Sequence, residues 1–514
     1  MSAQPVTVPR AEAMAGSLGE MLSASAERFG DKLAVIAIDR QLSFRDLERL
    51  SSRLARALVQ QGLRRGDRVT LWVENGWRWM VAYYAVLKLG GVVNPCNILL
   101  TADEVAYIAG DCGARMVIAG RDKVDTLAGR LTATLIADQP CDGPLDLDTL
   151  LGERESDEYS SFSSLEPLDI ATIAYTSGTT GRPKGAVLSH STILMNTAMT
   201  SLMHGRTSSD CVVSALPCTH VYGNVVMNSA VMCGMTLVLL PRFDESAVLQ
   251  AIQRHRATLF EGVPTMFYRL LNCELERFDL TSLRVCTVGG QTMPVAKMVE
   301  VERRFACPLL ELWGMTELGG LGTTHPHNGP RRLGSIGIAL PYLQTRVVAL
   351  DDPSRVLPDG EIGELLVRGP LLMQGYLDNP AATSETILDD GWMRTGDLVR
   401  SDSDGYLYVV DRAKEVIISG GYNIYPAELE RVIAQHPSVA MVAVAAMPDE
   451  LRGQAPKAFV VARDGMSCSA EDIIEHCRPL LAGYKLPRAV ELLDDLPKTS
   501  TGKILRRALA TSTI

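Results

Sequence analysis

At 514 residues the chain exceeds the size at which a single hydrophobic core keeps growing, so two or more domains are expected. Its 46% apolar and 21% charged content excludes a disordered or fibrous chain. A formal net charge of −10 excludes a general pull toward nucleic acid or an anionic membrane surface.

From the N-terminus the pattern is doubly wound. Val69 to Val73 is an apolar strand, Trp77 to Leu89 a helix, and Gly90-Gly91 ends it before a strand at Val92-Val93. Thr101 with Glu104 forms a capping box ahead of Val105, Tyr107 and Ile108, and Gly113 closes that helix before a strand from Met116 to Ala119. Strands alternating with helices of this length imply a mostly parallel sheet with helical cover. Residues Asp138 to Glu166 are polar and acidic and read as an irregular connection. A helix is expected from Thr192 to Met203, after which alternation resumes. From about Gly334 to Tyr408, short β-like runs between Gly, Pro and Asp turns suggest a small β-rich subdomain. After Asp411 a compact α+β segment follows, with strands at Val416 to Ile418, Ala440 to Ala445 and Ala458 to Val461, and helices opening at Pro426 and near Glu471.

The 11 cysteines are scattered from Cys96 to Cys477 without a Cys-x-x-Cys pair. An odd count at irregular spacing argues against a disulfide framework or a zinc site. The N-terminus lacks a signal-peptide core, no apolar run is long enough to span a membrane, and the C-terminus carries no prenylation signal. A cytoplasmic protein without integral membrane contact is expected.

One stretch says more than any other. Tyr175 to Gly185 holds three glycines, four Ser/Thr hydroxyls and two cations in eleven residues. Such a loop offers backbone N–H groups, hydroxyl donors and positive charge to a polyphosphate. It is not a Walker A loop, because the apolar run after Lys184 reads as a strand rather than a helix. The bland alternative is a Ser/Thr/Gly surface turn. Other blocks gain meaning beside it. Trp313-Gly314-Met315-Thr316-Glu317 sets a hydroxyl and a carboxylate by an aromatic plane; alone, Glu317 reads as an acid in a helix's first turn. Thr395-Gly396-Asp397 offers a carboxylate to two ribose hydroxyls, or is an ordinary turn. Asp411-Arg412-Ala413-Lys414 packs alternating charges at the domain junction, and Leu496 to Lys503 precedes Arg506 and Arg507 in a basic tail; each alone reads as a solvated face.

Taken in order, these blocks resemble the adenylate-forming enzymes: acyl-CoA synthetases, peptide-synthetase adenylation domains and firefly-type luciferases. The resemblance runs from about Leu18 to the C-terminus and includes Gly363 to Arg368, Gly375-Tyr376, Gly391 to Leu398 and Ser419 to Pro426. It implies an α/β fold: a large N-terminal domain of doubly wound sheets with a small β-rich subdomain (residues 1–411), then a small mobile α+β domain (412–514). It implies ATP, Mg2+ and CoA as cofactors or co-substrates. Thr176, Ser177, Gly178, Thr179, Thr180 and Lys184 would cradle the pyrophosphate end, with Thr176 a further candidate near the metal. Thr316 would touch the α-phosphate, Glu317 would bind Mg2+, and Asp397 with Arg412 would hold the ribose. Trp313 and Gly289-Gly290-Gln291 would flank adenine. Lys503 matches the lysine that bridges carboxylate and α-phosphate, Lys414 the hinge, and Gly420 and Gly421 the loop flanking the thiol tunnel. The acyl pocket would be lined around His220, which either gates it or is a hydrogen-bonded core histidine.

The acid is expected to be neutral. The stretch Leu216 to Gly223 lacks the aspartate with which amino-acid-activating relatives meet an ammonium group, and a buried cavity without a counter-ion disfavours one. Trp313 stands where tyrosine is frequent in the family, and Thr219 where an aromatic is; the smaller threonine would open room for a bulky or ring-bearing acid. The expected acceptor is CoA, because the sequence stops soon after Lys503 without a carrier domain. A stand-alone adenylating enzyme loading an acyl carrier protein is the main alternative; luciferase-like oxygen chemistry and a catalytically silent nucleotide-binding regulator stand further off.

Overall fold

The computed structural model describes residues 16–141, 145–152, 165–176, 183–420, 422–449, 451–463, 465–497, 504 and 506–511. Four sheets organise them. An eight-stranded sheet has Arg68–Trp72 near its centre, flanked in parallel by Val92–Pro95 and Ala114–Ala119. A nine-stranded sheet carries Leu309–Met315, Val285–Val288, Leu259–Gly262, Cys211–Ser214, Thr236–Leu239 and Leu33–Ile36 side by side. Apart from its edges it is parallel.

Helices pack between the two large sheets. Trp77–Lys88 buries every residue except Arg78, as a helix apolar all round must. Its Tyr84 hydroxyl donates to Asn228 Oδ1 of helix Val221–Cys233 at 2.8 Å. The capping box before Ala102–Asp111 is formed as its sequence requires, Glu104 N donating to Thr101 Oγ1 and Thr101 N to Glu104. Helix His190–Met203 starts two residues before its expected position, since Ser189 caps it by accepting from Thr192 N.

The β-rich subdomain is a four-stranded antiparallel sheet ordered Gln344–Val348, Gly363–Arg368, Met393–Ser401, Leu407–Arg412. The small C-terminal domain is built on the long hairpin Val439–Asp449 with Gly453–Ala462, covered by Pro426–Ile433 and Ala470–Cys477. The fold class is therefore as expected, a large N-terminal and a small C-terminal domain.

One expectation needs correction. The acidic stretch read as irregular contains strand Leu145–Asp146 and helix Leu147–Gly152. Leu147 and Leu150 enter the main core, so tertiary packing, not local periodicity, holds this short helix. Residues 153–164 of that stretch lie outside the described set. All eleven cysteines are free and most are buried. Among the described residues, no helix is long and apolar enough to cross a membrane.

Candidate active site

Strands Cys211–Ser214 and Leu259–Gly262 are adjacent and parallel, yet the connections leaving them run toward opposite edges of the sheet. In open α/β sheets, ligands bind beyond the carboxyl ends of the strands at such a switch point. Gly289 and His220 follow strands of this sheet at that end, and Trp313 lies in Leu309–Met315 just past its parallel-paired residues. Gly289 is required there by close approach: a Cβ would sit 2.2 Å from Leu312 Cδ1. Gly290 has φ +88°, which glycine tolerates best, and Gln291 is half-buried.

Ile170–Thr176 and Lys184–Ser189 form an antiparallel hairpin in which Thr176 faces Lys184. The glycine-rich loop thus joins two strands with no helix behind it. Ser177, Gly178, Thr179 and Thr180 lie outside the described residues. The two-residue strand Gly375–Tyr376 extends the same sheet, with Tyr376 opposite Ala186. Lys184 Nζ lies 5.3 Å from the centroid of the Tyr376 ring.

Glu317 sits in the turn Thr316–Leu318 that follows strand Leu309–Met315, with Thr316 half-buried beside it. Its residue exposure is only 7%. The Tyr376 hydroxyl donates to Glu317 Oε1 at 2.7 Å, and Met373 N donates to the Glu317 carbonyl at 2.7 Å. Burial first, then the charge of Glu317 and the hydrogen bond to it, push the Tyr376 phenol well above its ordinary pKa. The phenol therefore stays protonated and donates. A carboxylate beside hydroxyls is a hard-oxygen donor set, which suits Mg2+. No group of three or more His, Cys, Asp or Glu gathers as a metal site among the described residues. One carboxylate fits an ion that brings most of its ligands as water and substrate phosphate.

Asp397 and Arg412 face each other across strands Met393–Ser401 and Leu407–Arg412. Arg412 Nε meets Asp397 Oδ1 at 2.5 Å, and Trp313 Nε1 donates to Asp397 Oδ2 at 2.8 Å. The indole is 8% exposed, so Trp313 braces the carboxylate expected at the ribose as well as standing near the expected adenine.

His220 has a task that sequence reading did not foresee. It caps helix Val221–Cys233, its Nδ1 accepting from Tyr222 N at 3.2 Å. Behind it runs a buried polar chain. Tyr222 Oη meets Thr287 Oγ1 at 2.5 Å, Thr287 donates to Glu261 Oε2 at 3.1 Å, and Arg206 Nη2 reaches Glu261 Oε1 at 2.6 Å. One helix, two strands and the connection after His190–Met203 supply these side chains, so no single stretch of sequence reveals them.

At the junction, Lys414 is exposed in the turn Ala413–Glu415. Gly420 has φ +58° and donates its N–H to the Arg452 carbonyl at 2.9 Å. Gly421 and Lys503 lie outside the described residues. Asp411 was visible in sequence only as part of a charged junction. It is 3% exposed and accepts from Ala427 N at 2.8 Å, at the start of helix Pro426–Ile433. Arg506 lies 3.6 Å from Asp411 Oδ1 and also pairs with Glu430 and Glu415.

The signature of the AMP-binding enzymes matches residues 22–377, and that of the AMP-binding enzyme C-terminal domain matches residues 428–503. The chain belongs to the AMP-binding enzyme family. It is 34% identical to a long-chain-fatty-acid–CoA ligase of Bacillus subtilis (strain 168), over 96% of this chain and 94% of that one. It is 36% identical to an indoleacetate–CoA ligase of Aromatoleum aromaticum, over 92% and 93%. The crystal structure of ATP-bound MatB from Rhodopseudomonas palustris superposes with a TM-score of 0.90 at 31% identity, covering 96% of this chain and 98% of that one. The adenylate-forming resemblance of the motifs is thereby established, and with it the AMP-forming acyl-CoA synthetase type. The two signatures leave Asp397, Arg412, Lys414 and Gly420 of this family member between them.

Proposed function

We propose that this AMP-binding enzyme is an ATP-dependent ligase that joins a neutral fatty, aryl or ring-bearing carboxylic acid to CoA. A carboxylate and ATP give acyl-AMP and pyrophosphate; the CoA thiol then displaces AMP to give the acyl thioester. The observation that carries the reading is the pairing of two buried carboxylates with the right partners. Glu317 lies near Lys184 through Tyr376, and Asp397 is held by Arg412 and Trp313.

Thr176, Lys184 and the loop between them bind the pyrophosphate end, and Thr316 the α-phosphate. Glu317 holds Mg2+, which when bound would neutralise phosphate charge. Asp397 and Arg412 orient the ribose, and Gly289 to Gln291 with Trp313 bound the adenine. The cap made by His220 fixes the first turn of the helix that flanks the acyl pocket. We place the boundary of the mobile domain between Asp411 and Arg412, with Lys414 as the hinge and Gly420-Gly421 beside the thiol path. Strand Leu407–Arg412 ends one sheet one residue past that boundary, and Ile417–Ser419 begins the next. Free cysteines throughout support a cytoplasmic setting. Relatives named for a long-chain fatty acid and for indoleacetate support both an alkyl and an aryl acid.

The test is AMP formation from Mg·ATP across fatty, aryl and polycyclic acids, each with and without CoA. Sustained AMP release with one class of acid, only when CoA is present, is expected. Acyl-AMP that stays on the enzyme without CoA-dependent turnover would shift the acceptor to a carrier protein.

A further inference from the structure

Segment 373–377 touches both halves of the phosphate site at once. Gln374 N and Leu377 N donate to the Val187 and Gly185 carbonyls at 2.9 and 2.8 Å, tying the segment to the strand that begins at Lys184. Met373 N ties it to the Glu317 turn at 2.7 Å. Tyr376 N is in turn fixed by Thr383 Oγ1 at 2.9 Å. The backbone around Tyr376 is therefore anchored on three sides.

Pleating determines where its ring goes. Tyr376 pairs with Ala186, so the two side chains share a face, and Lys184, two residues before Ala186, projects from that same face. A diagonal neighbour across a sheet is within reach of a long or aromatic side chain. The small Ala186 leaves the ring room to lie toward Lys184, and the ammonium stands 5.3 Å from its centroid. The hydroxyl at the far end of that ring reaches Glu317. One rigid side chain thus stands between a cation and a carboxylate of opposite charge.

We propose that Tyr376 is a positioning residue that holds the Glu317 carboxylate in the orientation needed for a nucleotide-bound Mg2+, while its ring keeps Lys184 apart from that carboxylate. By occupying one lone pair of Oε1, the phenol turns the remaining carboxylate edge to the metal. Metal ligands are commonly oriented by such outer partners, whose loss typically weakens metal binding about 10- to 100-fold. The inference rests on Glu317 being the Mg2+ ligand.

The test is calorimetric binding of ATP to the full-length enzyme, in Mg2+ and in EDTA, with thermal unfolding followed alongside. Tyr376→Phe keeps the ring and removes only the hydroxyl. It is expected to weaken Mg·ATP binding about tenfold and to leave ATP binding in EDTA unchanged. Tyr376→Leu is expected to weaken both, because the platform under Lys184 is lost too. Glu317→Gln serves as the reference and is expected to abolish the gain in affinity that Mg2+ gives. If Tyr376→Phe keeps the full Mg2+ gain while Glu317→Gln loses it, the role of Tyr376 is overturned and the Glu317 assignment stands. A Tyr376→Phe enzyme weakened equally in Mg2+ and EDTA, with a lowered unfolding temperature, also overturns it, since the hydroxyl would then be merely structural. If Glu317→Gln keeps the Mg2+ gain, the Glu317 assignment itself has failed and the proposal falls with it.

Discussion

Lys503→Ala should slow acyl-AMP formation about 10²–10³-fold while leaving thiolation of supplied acyl-AMP near the wild-type rate. Charge spreads over carboxylate and phosphate oxygens as the acyl–phosphate bond forms, and a fixed cation helps most where water is excluded. Fixing such a cation requires anchors on either side. Leu496 is 2% exposed and packs with Ala443, Ala445 and Phe459, against which Ile504 also lies. Three residues beyond Lys503, Arg506 pairs with Glu430 and Glu415. The chain on both sides of Lys503 is thus seated on the small domain, so in the proposed reaction that domain's orientation would decide when the lysine reaches the site. Undiminished pyrophosphate release by Lys503→Ala would remove Lys503 from the reaction. A parallel loss of thiolation would show that the substitution damaged the domain instead.

Glu311→Gln should make the enzyme markedly more stable in mild alkali and hardly change it in acid. Glu311 lies in strand Leu309–Met315, is 2% exposed, and its Oε2 has no hydrogen-bond partner among the described residues. Burial pushes its carboxyl from the ordinary 4.5 up to about 8, against a smaller opposing hydrogen bond from Met293 N. Between those values the folded protein holds a proton that the unfolded chain has lost. Stability from this group is therefore full below about pH 4.5, falls as pH rises, and is gone above about pH 8. The whole span amounts to about 5 kcal/mol, at 1.36 kcal/mol per pH unit. Glutamine carries no charge to bury, so the unfolding temperature of the variant should decline less steeply between pH 5 and pH 8.5. Parallel profiles for the two proteins would show that Glu311 does not titrate in this range.

Much of this was legible in the sequence where the signal is local. The capping box at Thr101 and Glu104, the helix from Trp77 and the hairpin around the glycine-rich loop each depend on residues a few positions apart. The carboxylates and cations of the candidate site likewise fall in short ordered blocks. Their mutual support was not legible. Trp313 and Asp397 are 84 residues apart, and Tyr376 and Glu317 are 59 apart. Such pairs depend on which strands neighbour each other, and strand order is decided by the packing of whole sheets. The same reason hid strand Leu33–Ile36, which pairs with Thr236–Leu239 some two hundred residues on. Helix Leu147–Gly152 was missed because three leucines buried by their surroundings outweigh a polar local sequence.

Asp411 gives the domain junction a chemical dimension. It precedes the turn Ala413–Glu415; one partner, Arg412 N, is its own neighbour, but Ala427 N and Arg506 come after that turn. If the small domain swings about Lys414, the latter two contacts break and the carboxylate meets water. Burial, offset in part by Arg506, raises its pKa to about 6, and hydration returns it toward the ordinary 3.8. Every swing away from this arrangement would then expel a fraction of a proton, and every return would take it back. The balance between the two orientations should accordingly tilt toward the one described here as pH falls from about 6 to about 4. Distance measurements between labels on the two domains would detect that tilt. Its persistence in Asp411→Asn would trace it to another group.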